Sequence, residues 1–216
     1  MSRFLVTTLI ASSFWVSSGH ALAKNDKQTP DMADPTAVYS SVGAHLYTNG
    51  DLDLSAGFAW GKNLLGVESK GGFDALNFRY AHMNLWNNLG VYAESTVQME
   101  EDFGSTATVG AISTFKLGNR LTFYPILTLG GLEVREDKWI TTTTFGTYTR
   151  FKLEKGFSLG LDPFVTFGES DYNSLSADVF VNYQYRNHQF RLGYTGSSVE
   201  SSDFDGEGYL EYKMAF

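Results

Sequence analysis

Histidine, serine and carboxylate side chains are the groups in this sequence that could carry out chemistry. His45, His82 and His188 lie in three separate regions, and no two of them have the spacing of a metal-ligand motif. Acyl transfer requires a serine beside a histidine and an orienting acid or amide. His82 and Ser95 can be paired on neighbouring predicted strands, but no acylation motif surrounds them. We therefore predict a protein that is not an enzyme and that holds no metal or cofactor.

A second group consists of charged side chains that alternate with apolar neighbours. It mixes acids and bases, and its main candidates are Arg79, Glu94, Asp162, Asp178, Arg191 and Glu211. If these side chains share an enclosed interior, burying them is costly unless they are paired or hydrated. Paired across strands, as Arg191 with Glu211 could be, they would close that interior. Left in water, they would line a pore and bias its ion selectivity. The sequence leaves both alternatives open.

Extended strands must position these side chains, because the chain alternates with period two almost without interruption. Residues 89–99, 157–168 and 175–186 each alternate apolar with polar or small side chains. Each segment is long enough to cross a bilayer as a tilted strand of ~9–11 residues. Helical spacing does not compete with this pattern in any segment, so the sequence predicts an all-β chain.

The spacing of turn signals predicts the number of strands. Turns divide the chain after residue 36 into six hairpins of about 30 residues each, hence twelve strands with both termini at one end. The third strand, residues 64–69, is short. If it belongs to a loop and residues 37–47 lie outside the wall, the count drops to ten. The turns lie at residues 61–63, 87–88, 118–119, 154–156 and 187–188.

Four residues interrupt the regular pattern. Pro125 and Pro163 lie inside predicted strands, where each removes a hydrogen-bond donor, and they predict a local bulge or a lost hydrogen bond. His82 and Asn84 occupy positions that the alternation of their strand otherwise gives to apolar side chains. Either a bulge intervenes there or the two side chains lie at the membrane interface.

The first 36 residues precede the alternating pattern. Arg3, an apolar run over residues 4–16 and the small-x-small site Ala21-Leu22-Ala23 are typical of a secretory signal peptide, predicted over residues 1–23. The run is too short to span ~30 Å of hydrocarbon as a helix. Residues 24–36 are polar, contain two prolines and predict a flexible periplasmic lead with nothing to bury. The barrel is predicted over residues 37–216.

Composition excludes two further functional classes. The chain has no cysteine, so thiol and disulfide chemistry is excluded. Its formal net charge of −8 argues against nucleic acid as a partner. Its 22 glycines, 17 phenylalanines and 12 tyrosines favour strands joined by tight turns.

Aromatic residues and the C-terminus indicate where such a chain resides. Aromatic side chains near the turns form the girdle expected at a membrane–water interface; its members are Trp60, Trp86, Phe115, Phe151, Phe157, Tyr185 and Phe190. The chain ends with Leu210, Tyr212, Met214 and Phe216 at every second position. This ending resembles the terminal strand of Gram-negative outer-membrane β-barrel proteins, which the barrel-assembly machinery reads. The resemblance implies a single antiparallel up-and-down barrel in outer-membrane lipid.

Two functions suit such a barrel. Twelve strands fall between the filled eight-stranded and the water-filled sixteen-stranded barrels. A narrow passive channel for small hydrophilic solutes would resemble the twelve-stranded oligosaccharide porins, although this chain lacks their ladder of lumen arginines for acidic sugars. A closed structural or adhesive barrel would resemble OmpX-like or OmpA-like domains, which have longer loops than those predicted here. We therefore favour the channel. The sequence does not identify a solute or an oligomeric state.

Overall fold

The structure is a computed structural model that describes residues 29–99, 104–135, 138–200 and 202–216. The predicted signal peptide, residues 1–23, and the start of the lead, residues 24–28, lie outside the described residues. None of the described residues belongs to a helix long and apolar enough to cross a membrane.

Within the described residues the chain forms thirteen β-strands. They are β1 (Ser41–Tyr47), β2 (Leu52–Trp60), β3 (Asn63–Lys70), β4 (Ala75–Trp86), β5 (Leu89–Gln98), β6 (Thr106–Ile112), β7 (Phe115–Leu117), β8 (Leu121–Arg135), β9 (Lys138–Lys152), β10 (Phe157–Gly168), β11 (Asn173–Tyr185), β12 (His188–Val199) and β13 (Asp205–Ala215).

These strands close into one antiparallel barrel. Each strand pairs with its neighbour in the chain, except that β6 and β7 both pair with β8 and not with each other, and β1 pairs with β13. β6 and β7 are therefore two parts of one wall strand, and the described wall has twelve strands in up-and-down order. The predicted fold class is confirmed. Closure gives the described wall strands partners on both sides, except along β7, which pairs only with β8. Pairing of this kind satisfies the backbone groups that a bilayer would leave without water.

The short third strand belongs to the wall. β3 pairs with β2 on one side and with β4 on the other, so the ten-stranded alternative is wrong. At the start of the barrel, β1 begins at Ser41 rather than at residue 37. All five predicted turns join wall strands at one end of the barrel, which we call the terminal end because the last strand also finishes there. The opposite end is called the loop end.

The residues that interrupt the pattern coincide with irregularities of the wall. The pairing of β4 with β5 shifts register between His82 and Trp86, and Asn84 there has a φ of 53°. The pairing of β9 with β10 skips Pro163. The break between β6 and β7 lies beside Pro125, whose carbonyl accepts a hydrogen bond of 3.0 Å from the backbone N–H of Ser113. Bulges of this kind re-aim side chains without opening the wall.

The outer face of the barrel is apolar and exposed. Large side chains on the outward parity include Val109, Phe145, Leu161, Val179 and Leu192, all at least half exposed. An exposed apolar face of this extent suits contact with lipid rather than water. The predicted aromatic girdle and Leu210, Tyr212 and Phe216 are also exposed on the outer face, while Met214 is half-buried.

Glycines on the inward face leave room for aromatic rings of the adjacent strand. Gly193 on β12 lies directly opposite Tyr209 on β13. A Cβ atom at position 193 would lie 2.6 Å from Cζ of the Tyr209 ring, which is too close for two carbon atoms. The space beside this glycine is filled by that ring, so it does not widen the lumen.

We expect Gly193→Ala to lower the free energy of unfolding by about 1–3 kcal/mol, the usual cost of overpacking. Gly66→Ala is the matched control, because a Cβ atom there has its nearest neighbour, Cβ of Arg79, at 3.8 Å. Urea unfolding of both variants in the same detergent measures the difference. Equal stabilities would mean that Tyr209 moves aside at no cost.

Candidate functional site in the barrel interior

Glu211 is the centre of a charged cluster on the inner wall. Its carboxylate lies 3.2 Å from Nη1 of Arg191, 2.8 Å from Nζ of Lys213 and 3.4 Å from Nε2 of His45. Glu211 and Arg191 are paired in register on β13 and β12, so the ladder itself brings them together. His45 also lies 3.5 Å from Glu68. The cluster joins β1, β3, β12 and β13 across the interior.

Arg79 and Glu94 form a second pair on neighbouring strands. They lie opposite each other on β4 and β5, with Nη2 of Arg79 3.1 Å from Oε1 of Glu94. Asn77 donates to the same oxygen at 2.8 Å, and the Tyr92 hydroxyl donates to the other carboxylate oxygen. Arg79 is 40% and Glu94 26% exposed, so both remain accessible from the interior.

Asp162 and Asp178 lie on β10 and β11, directly opposite each other. Asp162 is buried and accepts hydrogen bonds from the Arg150 guanidinium. Asp178 accepts the Tyr209 hydroxyl, at 3.0 Å to each oxygen. Asp162 is therefore neutralised by a cation, whereas the hydrogen-bond donor to Asp178 is an uncharged hydroxyl.

All six predicted lumen residues therefore lie on the inner wall. Their part in conducting a solute stays a prediction. His82 and Ser95 do not come together. On the β4–β5 ladder His82 lies opposite Val91, whereas Ser95 lies opposite Phe78 and donates to the carbonyl of Thr106.

Residues 31–37, the end of the lead and the first residue of the predicted barrel, form two consecutive turns inside the barrel. The backbone N–H of Asp34 donates to the carbonyl of Asp31 at 3.2 Å, and that of Ala37 donates to the carbonyl of Asp34 at 3.1 Å. Each aspartate also caps its own turn. Asp31 accepts the N–H of Ala33, and Asp34 accepts the N–H and hydroxyl of Thr36 at 2.8 and 2.6 Å. Aspartate favours such turns because its short carboxylate reaches the backbone two residues on.

The wall holds the lead at the terminal end. Gln184 on β11 accepts the N–H of Met32 at 2.9 Å and donates to the carbonyl of Pro30 at 2.7 Å. On β9, Nε of Arg150 donates to the carbonyl of Ala33 at 2.9 Å, and Lys152 forms an ion pair with Asp31. Met32 and Ala33 are buried, at 2% and 5% exposure. The polar composition of the lead did not predict this burial.

Four cavities follow one another from the loop end to the terminal end. The first, at the loop end, is a mouth of about 770 Å³. It shares Ser176 and Thr195 with the next cavity, of about 540 Å³, which we call the upper chamber. That chamber shares Arg79, Asp162 and Asp178, among others, with a central cavity of about 320 Å³. The central cavity shares Asp34 and Ala37 with a cavity of about 370 Å³ at the terminal end.

Threonines dominate the upper chamber. Six of them lie on β6, β8, β9 and β10: Thr106, Thr108, Thr128, Thr142, Thr144 and Thr166. The hydroxyls of Thr144 and Thr166 are 2.7 Å apart and hydrogen-bonded. Hydroxyl groups both donate and accept, so this surface can replace the hydration of an uncharged or charged solute.

No protein-family model and no curated protein matches the chain in sequence. In structure it is similar to the NanC porin, with a TM-score of 0.58 and 9% identity over 82% of this chain and 98% of the porin. It is also similar to an outer membrane channel from Pseudomonas putida F1, with a TM-score of 0.54 and 11% identity over 89% and 99%. The KdgM porin gives 0.50 and 7% over 83% and 99%.

The chain shares its barrel fold with these three structures. Two of them are porins and one is an outer membrane channel. The likeness is one of fold, at identities of 11% or less, so it does not extend to the side chains of the interior.

Proposed function

We propose that the protein is a narrow passive channel for small hydrophilic solutes in the outer membrane. The observation that supports this function best is the series of cavities that share lining residues from the loop end to the terminal end. A closed structural barrel has no need for such a series, since side chains fill the interior of narrow barrels.

The exposed apolar face supports the location, because it requires lipid around the wall. The ending Leu210 to Phe216 supports insertion by the barrel-assembly machinery. Once the barrel is inserted, the loop end would face outward and the lead would lie on the periplasmic side.

The inner charges suit solutes of low net charge. The acids that pair with bases include Glu94, Asp162 and Glu211, so each of these negative charges has a positive charge beside it. Asp178 faces the path with a tyrosine hydroxyl as its partner. A pore whose acids are mostly paired, with Asp178 paired only to a hydroxyl, should favour cations weakly.

Single-channel conductance in a planar bilayer tests the proposal, with protein purified from the outer membrane of an expressing host. We expect small discrete steps with weak cation selectivity. Asp178→Asn should lower the cation-to-anion permeability ratio, because it removes a negative charge from the upper chamber while keeping an acceptor for Tyr209. Glu94→Gln should act in the same direction and also leave Arg79 without its partner carboxylate. Silence from a folded, heat-modifiable barrel would exclude a channel and favour the closed structural alternative.

A further inference from the structure

The lead is held against one side of the barrel at the terminal end. Its contacts with Gln184, Arg150 and Lys152 are all made with β9 and β11. Beside these contacts lies a cavity of about 370 Å³ that is lined by Asp31, Ala33, Lys152 and Gln184, among others. Among the described residues, none lines both this cavity and the central one. On this side the lead separates the interior from the terminal end.

On the opposite side of the lead, a cavity of similar volume lies between Asp34 and Thr36 of the lead and Lys62 and Lys116 of the wall. Lys62 is in the β2–β3 turn and Lys116 is on β7. This cavity shares Asp34 with the central cavity, so Asp34 lies where the interior meets the exit.

We propose that residues 31–37 form a fixed plug that sets the ion selectivity of the channel. The plug closes the β9–β11 side and leaves, among the residues that the structure describes, one exit, between Asp34 on one wall and Lys62 and Lys116 on the other. The inference about selectivity rests on the proposed channel function, whereas the plug itself does not.

The construction of the lead supports a fixed plug rather than a mobile tail. Both of its turns are closed by backbone hydrogen bonds and capped by aspartate. Buried Met32 adds apolar contact, and Tyr39 donates to the carbonyl of Met32 at 3.4 Å. A segment tied at Asp31, Met32 and Ala33, and continuous with β1 at Ser41, is held at both ends.

Charge substitutions at the exit test the selectivity. Asp34→Asn keeps the turn, because asparagine forms the same side-chain cap, and it should lower the cation-to-anion permeability ratio about two- to fivefold, the effect of one charge a few ångströms from the ion path. Lys116→Gln should raise the ratio. Glu154→Gln is the matched control, since it removes an acid at the same end that is 80% exposed in the β9–β10 turn. If Asp34→Asn changes the permeability ratio no more than Glu154→Gln does, the proposed exit beside Asp34 is wrong.

Thiol labelling tests the plug without relying on conductance. The chain has no cysteine, so Ala33→Cys carries a single thiol at a position that is 5% exposed. It should react with a charged thiol reagent much more slowly than Asn187→Cys, which is exposed in a turn at the same end. Equal rates would overturn the plug. If Ala33→Cys is protected but the wild-type protein does not conduct, the plug stands, and both the proposed channel and the selectivity role inferred from it fail.

Discussion

Replacing Arg150 by leucine should destabilise the barrel by about 3–5 kcal/mol, the usual cost of leaving a buried charge without its partner. Arg150 and Asp162 are 3% and 7% exposed, and the guanidinium donates to both oxygens of the carboxylate. The same side chain donates to the carbonyl of Ala33, so its loss also loosens the lead. Equilibrium unfolding in urea, followed by tryptophan fluorescence, measures the effect.

Two further variants separate the buried charge from a general loss of arginine. Arg120→Leu breaks a pair with Glu154 at 3.8 Å whose members are 62% and 80% exposed, and it should change stability by less than about 1 kcal/mol. Adding Asp162→Leu to Arg150→Leu should recover a large part of the loss, because the lone carboxylate is then removed. Equal losses for Arg150→Leu and Arg120→Leu would show that water hydrates Asp162 fully.

Val179→Arg should cost about 2–4 kcal/mol in a bilayer, the penalty for a cation at the midplane of a membrane barrel. Val179 lies at the centre of β11 on the outward parity and is 52% exposed. Leu175→Arg is the control, since this residue lies on the same strand and face near the loop end, where the cost falls to about 0–1 kcal/mol. Unfolding of both variants in phospholipid vesicles checks the difference.

The same pair of variants tests the membrane placement. A soluble barrel would tolerate an arginine equally at both positions, because both side chains would already be in water. Equal and small effects at Val179 and Leu175 would therefore contradict the outer-membrane location, whatever the conductance of the protein.

Most of the wall could be predicted from the sequence, because its information is local. Alternation with period two indicates which face of a strand is apolar, and turn residues indicate where each strand ends. Trp60, Trp86 and Phe216 belong to the outer face for the same reason. Even the short β3 alternates between apolar and polar or small side chains. It belongs to the wall because unpaired backbone groups of β2 and β4 cannot remain in lipid.

Apart from the pair of Arg191 with Glu211, the interior could be predicted only as a set of residues, without its pairs. Parity placed Arg191 and Glu211 on one face, and their register on β12 and β13 then brought them together. Parity could not show that the Tyr209 ring fills the space beside Gly193 or that its hydroxyl reaches Asp178. Those contacts depend on how neighbouring strands are staggered, which no single strand encodes.

By itself, the sequence determined the strands, the turns, the outward face and the candidate residues of the lumen, since each depends on neighbours a few positions away. Only the tertiary structure decided the course of the lead. Residues 31–37 have no alternation, and their partners Gln184, Arg150 and Lys152 lie more than a hundred positions further along the chain. Closing the barrel brings those side chains to the terminal end, and only then does a polar segment acquire donors and acceptors that hold it inside.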